Sequence, residues 1–127
     1  MLNKLKKGVD MQDLTIETIK KCAEYKKSHL NLISYCLNHG YKISVHLYND
    51  TTPELDKSDN YDQIKEYSEC ADMIDLCIYD NDKKIGWALL VLCNDDEEIV
   101  SDYTNSKFLN DWSNQYEKMI EATAWTT

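Results

Sequence analysis

The stretch IDLCIYDNDKKIGWALLVLCNDDEEIVSDY, residues 74–103, decides the fold of this chain. Its first six residues set Ile74, Leu76 and Ile78 against Asp75, Cys77 and Tyr79, the period-two alternation of a half-buried strand. The one long uncharged apolar run of the sequence follows, Ile85 to Cys93. With no charge and no alternation, it reads as a strand covered on both faces and hence as the centre of a small sheet. Gly86 early in the run and turn-forming clusters at both ends favour a strand over a buried helix segment. Asp80-Asn-Asp-Lys-Lys84 has the residues of a hairpin loop, because Asn and Asp tolerate left-handed backbone and bond their own main chain. Asn94-Asp-Asp-Glu-Glu98 makes the next turn and Ile99 to Tyr103 the next strand. The result is a three-strand antiparallel meander.

Outward from the meander, Tyr41 to Tyr48 alternates Ile43, Val45 and Leu47 against Lys42, Ser44, His46 and Tyr48, predicting a strand with one wet side. Whether it lies beside the central strand or at an edge is open at this stage. Between Thr15 and His39 the apolar positions Ile19, Cys22, Ala23, Leu30, Ile33 and Leu37 recur at helical spacing, thinly enough around Ser28 and His29 to suggest a break. Gly40 is the expected stop. Asn49 to Lys57 holds the only proline and reads as a loop. Ser58 is the candidate cap of a short helix running to about Cys70. Asn105 or Ser106 caps a last helix with the stripe Phe108, Leu109, Trp112, Tyr116, Met119 and Ile120. The expected architecture is α+β: a four-stranded, mainly antiparallel sheet (strand, short helix, three-strand meander) packed with an N-terminal and a C-terminal helix.

With 127 residues and 43% hydrophobic content, the chain has the size and composition of one globular domain, expected over 14–127 behind a basic tail at 1–13. No window approaches the roughly 18 apolar residues of a membrane span, and the start MLNKLKKGVDMQD lacks a signal-peptide core. Leu2 and Leu5 among lysines read as a terminus rather than a membrane anchor. A cytoplasmic protein is the default. The five cysteines are odd in number, with no CxxC among them, which suits reduced, buried thiols.

Charge is the most informative global property. Residues 1–49 hold eight lysines against four acids and residues 50–127 hold six against nineteen, so a balance of +4 gives way to one of −13, and arginine is absent. Without arginine, bidentate phosphate clamps and sequence-specific nucleic-acid reading lose their usual residue. An acidic surface repels nucleic acid and suits a basic protein partner. The expectation is therefore a protein partner, no direct nucleic-acid binding and no membrane, with the oligomeric state open.

The candidate sites have plain alternatives. Asp80-Asn-Asp82 opens like a calcium loop, but Ile85 stands where glycine is needed and Val91 where glutamate is needed, so it reads as a hairpin turn. Asp95, Asp96, Glu97, Glu98 and Asp102 form the densest acid cluster. Such carboxylates could hold Mg²⁺ or shift one another's protonation, but neighbours on a turn diverge and no histidine is tied to them by spacing. They read as a solvated turn or a partner-facing patch. Cys36-Leu-Asn-His39 is half a zinc site without its other half, and reads as core and cap. No glycine-rich phosphate loop, GxSxG or HExxH is present. The sequence thus offers Asp80, Asp82, Asp95, Asp96, Glu97, Glu98 and Asp102 as an acidic binding face, with no catalytic set, metal or cofactor called for.

From Gly40 onward the chain resembles a family of small acidic proteins encoded by bacteriophages and prophages. The resemblance is carried by Gly40-Tyr-Lys-Ile-Ser-Val45, Asp75-Leu-Cys-Ile-Tyr-Asp80, Ile85-Gly-Trp-Ala-Leu-Leu-Val91 and Asn94-Asp-Asp-Glu-Glu-Ile-Val-Ser-Asp-Tyr-Thr104. It covers about two thirds of the chain and departs over Leu47 to Asp59, where the family carries a Trp-containing segment. It implies a phage-type origin and assigns no catalytic residue. Three roles are then open: an accessory protein that binds a host protein through its acidic face, by nucleic-acid charge mimicry among other routes; an immunity or antitoxin protein against a basic toxin; and a small metal- or ligand-binding domain.

Overall fold

The computed structural model describes residues 24–124, so the basic segment 1–13 and the first half of the helix expected from Thr15 lie outside the described residues. The described residues run α1 (Ser28–Asn38), β1 (Lys42–Leu47), β2 (Leu55–Ser58), α2 (Tyr61–Ser68), β3 (Met73–Asp80), β4 (Lys83–Val91), β5 (Val100–Tyr103) and α3 (Lys107–Ala124), with a 3-10 turn at Asp96–Glu98 before β5. All strand pairs are antiparallel, in the order β2-β1-β3-β4-β5. The fold is α+β. Among the described residues no helix is long and apolar enough to cross a membrane.

Alternation puts Ile43 and Val45 of β1, Ile74, Leu76 and Ile78 of β3, and Ala88 and Leu90 of β4 on one face, fully buried. Leu30, Leu32, Ile33 and Cys36 of α1, Ile64 of α2, and Leu109, Trp112 and Tyr116 of α3 close over that face. Gly86 lets α3 approach closely, since a Cβ there would stand 3.1 Å from the Leu109 side chain. The end of α1 and the start of α3 fall where the sequence placed them. Gly40 takes φ +81 just past α1, and the Ser106 hydroxyl accepts from the Leu109 amide at the start of α3. The thin part of the N-terminal stripe is a turn at 25–27.

Three expectations are corrected. The sheet has five strands, not four: Leu55 to Lys57, expected as the end of a loop, and Ser58, expected as a helix cap, form a short edge strand that pairs with β1. Its pattern is masked by Lys57, which breaks the alternation with φ +44. Ser58 closes that strand, and the cap of α2 is Asn60, whose side chain accepts from the Gln63 amide at 2.9 Å. Finally, the central strand is β3, flanked by β1 and β4. The apolar run is not covered on both faces. Gly86, Ala88 and Leu90 are buried, whereas Trp87, Leu89 and Val91 are half-buried on the outer face, and Leu92 and Cys93 lie beyond the strand. Absence of charge does not by itself imply coverage, because half-exposed apolar residues are common on protein surfaces.

His29 ties α1 to α2. Its Nε2 donates to Glu69 Oε2 at 2.8 Å, while its Nδ1 is buried with no hydrogen-bond partner. A neutral ring leaves only a bare lone pair there; a protonated one would bury an unpaired N–H. Burial accordingly pulls the His29 pKa below its ordinary value, with Glu69 opposing in part.

Two stability outcomes follow. Leu90→Ala should cost about 2–5 kcal/mol, the range for a buried leucine, and Leu89→Ala well under that, compared by denaturant unfolding. Equal costs would contradict the one-sided core. Because the folded-state pKa of His29 lies below the unfolded one, the unfolded chain takes up the proton first, and stability falls as pH drops through the ordinary histidine range. The slope from this group is at most about 1.4 kcal/mol per pH unit. His29→Gln should remove that component from urea melts at pH 7.5 and pH 5.

Candidate functional site

The seven acidic residues singled out by the sequence fall in separate places. Asp80 and Asp82 sit at the β3–β4 hairpin. Asp95, Asp96, Glu97 and Glu98 sit in the β4–β5 connection, at the other end of β4, about 27 Å away at the usual rise per strand residue. Asp102 lies across from Leu89 on the outer face of the sheet. A meander necessarily sends consecutive turns to opposite ends, so no single face gathers all seven.

The β4–β5 connection is held firmly at its base. Ile99 is buried in the core, and its carbonyl accepts from the Val91 amide at 2.8 Å. The Asn94 side chain donates to the Glu98 carbonyl at 2.9 Å, and the Ser28 hydroxyl accepts from the Val100 amide at 2.8 Å. These bonds draw the acidic turn to the helix side of the sheet and leave its carboxylates exposed.

Facing the turn is α3. Trp112 and Tyr116, one turn apart, stack with ring centres 5.6 Å apart, and Tyr103 of β5 meets Trp112 edge-on at 5.9 Å. The Trp112 indole N–H donates to Asn31 Oδ1 at 2.9 Å, and the Tyr116 hydroxyl donates to the Lys26 carbonyl. Both polar tips are thus turned inward, and the rings form the floor of a groove of about 420 Å³ between turn and helix. Glu97 and Glu98 line one side, Glu117 and Glu121 the other, and no basic residue is among its lining residues. The carboxylate field reaches the floor: burial first, and then repulsion from Glu97 and Asp96, push the Tyr116 phenol well above its ordinary range.

No family model, no curated protein and no solved structure matches the chain.

Glu117 and Glu121 were missed in the sequence. Their spacing of four, each one residue after Tyr116 and Ile120 of the apolar stripe, is a visible sign of a carboxylate row beside that stripe. Only packing shows that this row meets the acidic turn. Cys36 and His39 do not form a site together. Cys36 is fully buried and its thiol is pushed far up by burial, whereas His39 is exposed and bonds through Nδ1 to the Tyr35 carbonyl at 2.8 Å. Among the described residues no group of three or more His, Cys, Asp and Glu is placed to hold a metal ion.

The buried phenol at the groove floor is open to a direct check. Tyr116→Phe removes one hydrogen bond and leaves the Lys26 carbonyl without that donor, which should cost about 1–3 kcal/mol in denaturant unfolding. A cost near zero would mean that water replaces the phenol there.

Proposed function

We propose that the chain is a non-enzymatic accessory protein of phage type, acting in the host cytoplasm, that binds a host protein by docking a basic, amphipathic segment in the groove between the acidic turn and α3. The observation that carries this reading is the pairing of an aromatic floor with a rim of carboxylates alone. Lysine and arginine lay their alkyl stems along apolar surface and keep the charged head outside. A groove of this construction satisfies both parts at once, with aromatic residues at the centre and charge at the edge, as in protein interfaces generally. The same carboxylates give the surface the charge sign of a nucleic-acid backbone, so a nucleic-acid-binding host protein has the matching chemistry. A basic toxin would meet the same groove in an immunity role.

The probe is a fluorescent peptide of alternating arginine and leucine, followed by anisotropy. Glu117→Gln with Glu121→Gln should weaken it about tenfold, as loss of charge-assisted contacts worth about 1.4 kcal/mol would. The distal pair Asp80→Asn with Asp82→Asn changes the net charge equally and should leave affinity within about twofold, since a Debye length of about 8 Å screens charge so far away. Equal effects of the two pairs would reduce the groove to unspecific acidity and contradict the docking site.

A further inference from the structure

The outer face of the sheet carries chemistry that the acidic groove does not use. Tyr79 stands on β3 at the hairpin end of this face, and lysines reach it from three strands. Lys42 is its cross-strand partner on β1, Lys84 its partner on β4, and Lys57 of β2 places Nζ 5.0 Å from the ring centre. Residues directly opposite in antiparallel strands project from the same face, so register alone gathers the first two. Lys57 does so from the left-handed backbone noted above, a conformation that costs a non-glycine residue energy. It shares its charge with Asp82 at 3.6 Å.

Two residues back along β3, about 7 Å at the usual strand rise, the face hollows into a depression of about 460 Å³. Its floor includes the cross-strand pair Cys77 and Trp87, and one wall is Asn49 to Thr51 of the β1–β2 loop. Asp75 holds floor and wall together: one oxygen accepts from the Trp87 indole N–H at 3.0 Å and the other from the Asn49 amide at 3.1 Å. His46 Nδ1 bonds the Asp50 carbonyl at 3.0 Å, and an Asp50 carboxylate oxygen accepts from the Thr52 amide at 3.0 Å. The carboxylates around the depression are therefore already engaged. Lys84 lines the depression together with Cys77, and its ammonium partly offsets the upward push of burial on that thiol, so the lysine pole adjoins the floor.

We propose that this face binds a nucleoside phosphate, with its planar base in the depression over Trp87 and its phosphate among Lys42, Lys57 and Lys84. An indole accepts a base by stacking, and the side-chain amide of Asn49 and the hydroxyl of Thr51 offer donors and acceptors to its polar edge. The volume lies within the range of about 300–1,000 Å³ usual for small-molecule sites. Lysine binds phosphate as a point charge, so the absence of arginine is no obstacle. The distance from floor to lysines is of the order of the span from base to phosphate in one nucleotide. A net charge of −9 repels each further phosphate, so the ligand is the free mononucleotide and not a strand. The site lies on the opposite face of the sheet from the acidic groove and stands or falls separately from it.

The test is calorimetric titration of the whole chain with adenosine and cytidine 5′-monophosphates, the parent nucleosides, inorganic phosphate and a single-stranded dodecanucleotide, with amide and indole N–H shifts recorded in parallel. Expected is binding of at least one monophosphate that shifts the Trp87 indole and Asn49 amide signals, with its nucleoside and phosphate each weaker by about tenfold or more. Lys84→Gln, exposed at a strand end, should weaken it about tenfold at an unchanged melting temperature, and Trp87→Phe less than Trp87→Ala. No shift at Trp87 or Asn49 with either monophosphate at millimolar concentration, or undiminished binding by Lys84→Gln, would overturn the site. A dodecanucleotide bound more tightly than the monophosphate would overturn the assignment to a free ligand.

Discussion

A five-stranded antiparallel sheet has two faces, and the described helices cover one of them. That single constraint orders the rest of the molecule. Ile43, Val45, Ile74, Leu76, Ile78, Ala88 and Leu90 face the helices and are sealed from water, which is where burial at about 25 cal/mol per Å² supplies most of the driving force for folding. The partner residues of the same strands have to face the other way. They are a mixed set, Ser44, His46, Asp75, Cys77, Tyr79, Trp87 and Leu89, with only their own neighbours and the β1–β2 loop for cover.

The two faces differ in charge as well as in burial. Ile99, buried beneath the β4–β5 connection, pulls the acidic turn toward the helices, where Glu117 and Glu121 extend the carboxylate surface. The hairpin end of the outer face instead collects Lys42, Lys57 and Lys84. A chain of net charge −9 thus presents an acidic groove on one side and a small cationic pole on the other. The charges at both are exposed and screened by salt, so the selectivity of the two proposed sites rests mainly on their aromatic floors. Trp112 and Tyr116 provide one floor, and Trp87 the other.

Period-two alternation in 43–47 and 74–79, the turn residues at 80–84, Gly40, Ser106 and the apolar stripe of α3 were all legible in the sequence, because each is a local pattern enforced by backbone geometry. What was not legible depends on tertiary placement. The edge strand β2 is four residues long with an irregular Lys57, too short to establish a period. The run Ile85–Cys93 looks the same whether a helix or water lies over Trp87 and Leu89. The acid cluster at 95–98 was visible, but its partner row on α3 could not be joined to it before the chain was folded. His29 and Glu69, forty residues apart, belong to the same class. Asp75 is the clearest case: as a polar residue in an alternating strand it reads as solvated, whereas in the fold both its oxygens hold other groups in place.

Methyl NMR with a soluble paramagnetic agent tests the division into a sealed and an open face most directly. The Leu89 and Val91 methyl signals should broaden strongly while those of Leu90, Leu76 and Val45 stay sharp. Equal protection of Leu89 and Leu90 would mean that the outer face is covered in solution, and would contradict the one-sided sheet on which both proposed binding surfaces rest.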